Sequence, residues 1–515
     1  MIQKIRLVSG FFTVGIWTLA SKVFGFVRDI MIANAMGSGP VAQAFLIAFA
    51  LPNMFRRFFA EGAFNTAFVP MFSKKVESGD HSVEFAREAF SGLASVVLLT
   101  VLIAQVFMPF LVLAMASGFA QDSRFGLAVD FGRIVFPYIL FISLAALLSG
   151  VLNAIGRFAA AAAAPVLLNV ILVAAMYLAQ ISGWEMGTTL SWSVLLAGFA
   201  QMALVWWAAH RAGITLLPRR PQLTPDMKRL AIIALPAAMA GGVVQINLLV
   251  GRQVASYFDG AVAWLSYADR LYQLPLGVVG IAIGVVLLPD LSRRLRAGDD
   301  AGGNDSLNRA AEFSLALTLP SAVALVVIPL PLVSVLFQRG AFDAADTAAT
   351  AMAVAVYGAG LPSFVLAKVL APLFFAREDT KSPFRYALIS MVVNAGLAIG
   401  LSSTFGYLAA AIGTSVAGWS MIILLWIGSR KLGTAALVDA RLKARVPRLL
   451  LSSVIMGGAL FGAANLLAPW LYAPHLRYFA LAALVSFGVV IYAAAIVLTR
   501  AMSPSDLKTA FRRKK

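Results

Sequence analysis

Apolar stretches about 20 residues long recur from one end of the chain to the other, and this limits the fold more than any other feature. A stretch of that length crosses the hydrocarbon core of a bilayer as a helix. Only helices and closed barrels satisfy their own backbone polar groups there. Fourteen such spans can be placed, at roughly 9–36, 42–72, 89–115, 127–153, 159–181, 188–210, 229–257, 263–292, 310–337, 345–375, 384–402, 407–429, 448–468 and 477–500. Composition agrees: 61% of the 515 residues are hydrophobic and 12% are charged, too few to coat a water-soluble surface. The expected fold class is an all-α polytopic membrane protein of about 14 transmembrane helices. At the N-terminus Lys4 and Arg6 precede an apolar run, and Ala33-Asn34-Ala35 resembles a cleavage site. The run is too long for a signal peptide and is interrupted by Lys22, Arg28 and Asp29, so it reads as a retained first span.

The net charge of +18 would suggest nucleic acid on a soluble chain. Here the positive-inside rule accounts for it. About 30 basic residues fall on one side of the spans, among them Lys74, Lys75, Arg87, Arg219, Arg220, Arg293, Arg294, Arg441 and the ending Arg512-Arg513-Lys514-Lys515. The opposite loops hold three: Arg124, Arg339 and Arg477. Both termini are therefore expected in the cytoplasm. There is no Cys, and His81, His210 and His475 lie far apart, so no metal site, disulfide or cofactor is expected. No catalytic constellation or Walker A motif is present.

The chain repeats itself at an offset of about 220 residues. Val69-Pro70-Met71-Phe72-Ser73-Lys74-Lys75 runs on to Gly79-Asp80, and Leu288-Pro289-Asp290-Leu291-Ser292-Arg293-Arg294 runs on to Gly298-Asp299 at the same spacing. Pro109-Phe110-Leu111-Val112 is answered by Pro331-Leu332-Val333, and Pro137 and Pro165 have approximate partners in Pro362 and Pro383. Span 2 maps onto span 8, so the repeating unit is six spans. An even unit keeps its orientation, which implies two lobes about a pseudo-two-fold axis along the membrane normal, with substrate between them. The expected divisions are 1–215 (first lobe), 216–432 (second lobe), 433–503 (spans 13 and 14) and 504–515 (basic tail). The segment Ala297–Asn308 reads as a polar linker.

Eight basic residues remain inside spans: Lys22, Arg28, Arg56, Arg57, Arg133, Arg252, Arg270 and Lys368. A charge at the bilayer centre costs roughly 2.5–3.5 kcal/mol on insertion scales. Arg133 and Arg252 lie near span ends and can snorkel, and Lys368 fits either snorkelling or function. Lys22, Arg28, Arg56 and Arg270 are deeper. Arg28 lies six residues beyond Lys22, about 9 Å along a helix. Two readings stand. Asp29, Asp269 and Glu61 could pair internally with Arg28, Arg270 and Arg57. Alternatively, the surplus charge lines a hydrated anion site. Gly25, Pro52 and Pro275 cluster beside these residues, and broken helices at mid-membrane are where transporters build sites. The surplus of cations favours the second reading. Guanidinium groups grip phosphate through paired hydrogen bonds, so a diphosphate is a natural ligand.

Several blocks are distinctive. Ser21-Lys22-Val23-Phe24-Gly25-Phe26-Val27-Arg28-Asp29, Leu51-Pro52-Asn53-Met54-Phe55-Arg56-Arg57-Phe58-Phe59-Ala60-Glu61-Gly62-Ala63-Phe64 and Tyr267-Ala268-Asp269-Arg270-Leu271 resemble the MurJ (MviN) family of lipid II flippases. Phe136-Pro137-Tyr138-Ile139-Leu140, Leu319-Pro320-Ser321-Ala322-Val323-Ala324-Leu325 and Lys368-Val369-Leu370-Ala371-Pro372 extend the resemblance over nearly the whole chain. It implies the MATE-like (MOP) superfamily fold: two six-helix lobes and two extra helices that form a groove for the lipid tail. It implies a transporter of the bacterial cytoplasmic (inner) membrane that exports undecaprenyl-diphosphate-linked disaccharide-pentapeptide for peptidoglycan synthesis. Its partners would be lipid II, membrane lipids and the cell-wall synthesis machinery. In the family, basic residues of helices 1, 2 and 8 line the cavity, which correspond to Lys22, Arg28, Arg56 and Arg270. Lys22 stands where the family usually has Arg. Gln43 and Ala50 stand where well-known members carry Asp and Lys. Gln245, Asn247 and Asn394 lack the acids of the sodium site of some relatives, so that site is not carried over. A flippase for another lipid-linked glycan, a MATE-type drug exporter and a membrane-embedded glycosyltransferase are the alternatives. A cationic-drug pump would need embedded acids in its cavity, and a transferase would need an essential carboxylate without an adjacent Arg.

Overall fold

The computed structural model describes residues 7–56, 59, 63–282, 288–433 and 436–502. Among them the regular elements are helical, and a single bridge joins Arg339 to Phe342. Packing separates two units, Met1–Ala263 with Arg339–Phe342, and Trp264–Gln338 with Asp343–Lys515. The first holds α1 (Leu7–Met36), α2 (Pro40–Arg56), α3 (Ala63–Ser78), α4 (Ser82–Ala116), α5 (Ser123–Val135), α6 (Tyr138–Ala154), α7 (Ala159–Ser182), α8 (Met186–Arg211) and α9 (Pro225–Ser256). The second is built from α10 (Ala261–Ala282), α11 (Leu288–Arg296), α12 (Asp300–Val327), α13 (Pro329–Phe337), α14 (Ala344–Phe375), α15 (Lys381–Gly400), α16 (Ser402–Phe405), α17 (Leu408–Ser429), α18 (Ala440–Leu471) and α19 (Arg477–Leu498).

Polar residues between apolar runs set the helix ends. Asp122, Glu185, Thr224, Asp299, Asp343 and Asp439 each accept a backbone N–H at the start of the following helix. The Arg124 side chain beside Asp122 holds that carboxyl below the usual carboxylate range. Gly183 closes α7 in the left-handed conformation. Ten stretches of described helix are long and apolar enough to cross a membrane. The other four expected spans correspond to α1, to α2 with α3, to α9, and to α10 with α11. These contain Lys22, Arg28, Arg56, Arg252 and Arg270.

Two expectations change. The span at 310–337 is broken at Ile328, with Pro329 opening α13. Proline lacks the N–H that a continuous helix needs at that point. The span at 127–153 instead stays one apolar stretch, Ser123–Ala154, in which Pro137 only marks the join of α5 to α6. The segment 297–308 is mostly helix rather than linker: Asp299 caps α12, and Gly303, Leu307 and Asn308 are buried.

In the first unit, α1 packs on α7, α2 on α5, and α6 and α7 on α8. Gln201 of α8 accepts from the Tyr138 hydroxyl at 3.2 Å and donates to the Ala164 carbonyl at 2.9 Å, so one amide joins three helices. Helix α9 packs on α3 and α4. Its far end is held by Gln253, which accepts from Ser117 and donates to the Leu113 and Ala114 carbonyls. The packing units thus divide after Ala263. In the second unit α14 packs on α12 and α17, and the α18–α19 hairpin packs on α12. Leu315, Ala316, Met456, Leu460, Leu484 and Ile496 are buried there, and the Tyr492 hydroxyl donates to the Ala316 carbonyl at 2.7 Å. Large apolar side chains face outward on many helices: Leu102, Val106 and Phe110 on α4, and Phe479, Val490 and Leu498 on α19, are more than half exposed. Such surfaces belong in lipid.

Candidate functional site

Ser21, Gly25 and Arg28 fall four and three residues apart, on one face of α1. That face meets Asn169 of α7. Arg28 is buried, and its Nε and Nη2 donate to one Asp29 carboxylate oxygen at 3.0 and 2.7 Å. Its Nη1 donates to Asn169 Oδ1 at 2.9 Å. The Asn169 amide in turn donates to the Ser21 carbonyl at 3.0 Å. The Phe49 ring of α2 lies 5.7 Å from the guanidinium carbon. A Cβ on Gly25 would make ordinary contact with Asn169 at 3.4 Å, and α1 runs through this glycine unbroken.

These contacts distribute the charge of α1 unevenly. Asp29 neutralises Arg28 at close range, so neither is left as an uncompensated buried charge. Lys22 is exposed, and its ammonium makes no hydrogen bond or ion pair among the described residues. The surplus cation of α1 is therefore Lys22, a compact, strongly hydrated point charge.

Arg56 lies in the last turn of α2 and is half-buried. Its neighbour Phe55 packs edge-on against Phe136 at 5.3 Å. Pro52 sits inside α2, one turn before Arg56, and the Asn53 amide donates to the Phe49 carbonyl at 2.8 Å. Arg57 and Glu61, read as a supporting pair, lie outside the described residues. Asp269 and Arg270 sit on α10 in the second unit, Arg270 exposed and Asp269 half-buried. Asp269 accepts from the Gln273 amide one turn on. The Tyr272 ring lies 5.0 Å from Tyr357 and 5.5 Å from Phe364, which holds this stretch of α10 against α14. Pro275 lies inside α10, which continues to Ala282. Of the other embedded cations, Arg133 and Lys368 are exposed and Arg252 is half-buried.

Two features escaped the sequence reading. Asn169 carries no motif of its own, and only the fold brings it to Arg28. Arg124, counted among the loop charges, is buried over the Phe119 ring at 4.3 Å and is bound bidentately by Asp122. Its Nη1 donates to Gln43 Oε1 at 3.0 Å, and the Gln43 amide donates to the Ser38 carbonyl and to Asp259. Gln43 uses its acceptor and donor ends at once, which a carboxylate could not do.

A family model described as lipid II flippase MurJ matches residues 32–481. A protein of Rhizobium meliloti (strain 1021) named "Probable lipid II flippase MurJ" is 48% identical over 476 residues, covering 90% of this chain and 88% of that protein. A solved structure of lipid II flippase MurJ in an inward closed conformation superposes with a TM-score of 0.78 at 24% identity, over 95% of this chain and 98% of that one. An inward-facing multidrug resistance MATE transporter of the MOP superfamily superposes with a TM-score of 0.64 at 14% identity, over 81% and 95%. These two structural likenesses establish the fold, and the sequence matches go further. This chain belongs to the lipid II flippase MurJ family, whose members are transporters rather than enzymes.

Proposed function

We propose that the chain moves lipid II, the undecaprenyl-diphosphate-linked peptidoglycan precursor, from the cytoplasmic to the outer leaflet of the bacterial inner membrane by alternating access. Both termini would face the cytoplasm, as the distribution of Lys and Arg implies. Lys22, Arg28, Arg56 and Arg270 would take the diphosphate, supported by Asp29, Arg57, Glu61, Asp269, Gly25, Pro52 and Pro275. The two repeats, 1–215 and 216–432, would be the moving lobes. The 433–503 segment would shelter the lipid tail, and cell-wall synthesis enzymes would be the downstream partners.

One observation carries this reading: the family match over residues 32–481, just ahead of which the otherwise apolar α1 sets an exposed lysine, without a hydrogen bond or ion pair among the described residues, near a buried Arg–Asp pair. A cation so placed costs free energy unless it serves a ligand. The buried pair fixes its surroundings, and an anionic head group would supply the missing counter-charge.

The test is depletion of the protein in its host, with lipid II on the outer leaflet measured by an impermeant probe. Outer-leaflet lipid II should fall while total lipid II rises. Arg56→Ala, at normal membrane abundance, should fail to restore export, and full restoration would remove Arg56 from the site.

A further inference from the structure

The segment 212–224, between α8 and α9, is strapped against the ends of α4 and α8. The Arg219 backbone N–H donates to Ser91 Oγ at 2.9 Å, and Arg87 Nε donates to the Thr215 carbonyl at 3.1 Å. Trp206 Nε1 donates to the Leu216 carbonyl at 3.1 Å, and Thr224 donates to Glu88 at 2.8 Å. Leu216 is buried by this strapping. Above the strap, α4, α6 and α8 leave a groove of about 610 Å³. Its walls include Leu98, Leu140, Leu144, Phe199 and Met202, and Arg219 stands at its rim. Leu98, Phe199 and Leu217 are each about half exposed, so the groove opens sideways, toward the lipid.

The rim is positively charged and lacks counter-charge. Arg219 and Arg220 are exposed, and neither guanidinium has a hydrogen bond or ion pair among the described residues. Two acids at the strap are engaged elsewhere, Glu88 by Thr224 and Asp226 by Lys75. Arg211 lies over its own helix's Trp207 at 4.1 Å.

We propose that this groove is a binding site for one anionic glycerophospholipid, an acyl chain lying between α4, α6 and α8 and the phosphate held by Arg219 and Arg220. The volume falls in the range of about 300–1,000 Å³ typical of small-molecule sites. An acyl chain gains little by leaving other lipid tails for an apolar wall, because both surroundings are equally dry. Selection must therefore come from the head group. Guanidinium groups pair with phosphate oxygens through two parallel hydrogen bonds and favour a head group of net negative charge. The site lies on the first unit alone and does not depend on the proposed substrate.

The experiment is native mass spectrometry of the full chain in mild detergent, titrated with dioleoylphosphatidylglycerol or dioleoylphosphatidylcholine. The two lipids share tails and differ in head-group charge. One phosphatidylglycerol should be retained about thirtyfold more readily than phosphatidylcholine, the effect expected of two interfacial cations. Arg219→Ala/Arg220→Ala should abolish that preference, and both positions are exposed enough for the variant to fold. Ala94→Trp on α4, or Ala203→Phe on α8 if the first proves unstable, should remove retention by filling the groove. Equal retention of the two lipids by the unsubstituted protein would overturn the proposal. So would a filled groove that still retains phosphatidylglycerol, or a charge variant that keeps the preference.

Discussion

Arg28 shows how a single embedded residue reads differently alone and in its fold. Its depth and its adjacent acid were visible in the sequence, because both follow from position within one span. Asn169 was not, since it lies 141 residues away and an asparagine in an apolar helix has no preferred partner. Asn169 acts here as a positioning residue, joining the α1 backbone to the Arg28 side chain. Asn169→Ala would strand a buried guanidinium N–H, at a cost of about 1–3 kcal/mol. Asn169→Asp would keep an acceptor for Arg28 but place a second carboxylate beside it. Both variants should reach the membrane in normal amount. The Asp variant should show weaker lipid II binding than the Ala variant, because added negative charge repels a diphosphate while a lost hydrogen bond only loosens Arg28. Binding measured on the purified variants decides this, and equal affinities would reduce Asn169 to a packing role.

At the scale of elements, the strongest polar joint outside the candidate site ties α18 to α12. Glu312, nearly fully buried, receives Arg309, Arg441 and Arg445, and Arg309 also reaches Asp439. The joint extends to the backbone, for Asn304 and Asn308 both donate to the Leu437 carbonyl. The sequence analysis did not single out Glu312, because two of its partners, Arg441 and Arg445, lie on another helix and only the fold brings them together. The same limit applies to α9. Its existence was readable from apolar length, expected at 229–257 and found at Pro225–Ser256, while its packing on α3 and α4 was not. Glu312→Gln should leave three guanidinium groups without their central counter-charge, at a cost of about 3–5 kcal/mol. Arg441→Ala should cost far less, since Arg441 is 42% exposed and Glu312 keeps two partners. Thermal unfolding of the two variants in detergent should therefore show a much larger loss of midpoint for Glu312→Gln. Similar midpoints would mean that α18 is held by its apolar contacts alone.

For the whole molecule, the task is to move a charged head group through a bilayer while its polyprenyl tail stays attached. The tail is apolar, so bringing it into a basic site would strip charged residues of their hydration and gain nothing. A tail left in lipid-like surroundings avoids that cost throughout the cycle. The α18–α19 hairpin suits this role, because one side is anchored on α12 while Leu450, Leu451, Val454, Phe461 and Leu466 remain exposed along α18. The sequence hinted at this by placing the hairpin outside the six-span repeat. A truncation after residue 432 cannot test the idea, since it would also strip Glu312 of Arg441 and Arg445. Photocrosslinking avoids that confusion. A diazirine near the far end of the polyprenyl chain should crosslink to α18 and α19. One beside the diphosphate should crosslink to α1, α2 and α10, where Lys22, Arg28, Arg56 and Arg270 lie. Arg56→Ala should abolish the second set and spare the first, because the tail needs no cation. Tail crosslinks confined to α1, α2 and α10 would show instead that head and tail travel together.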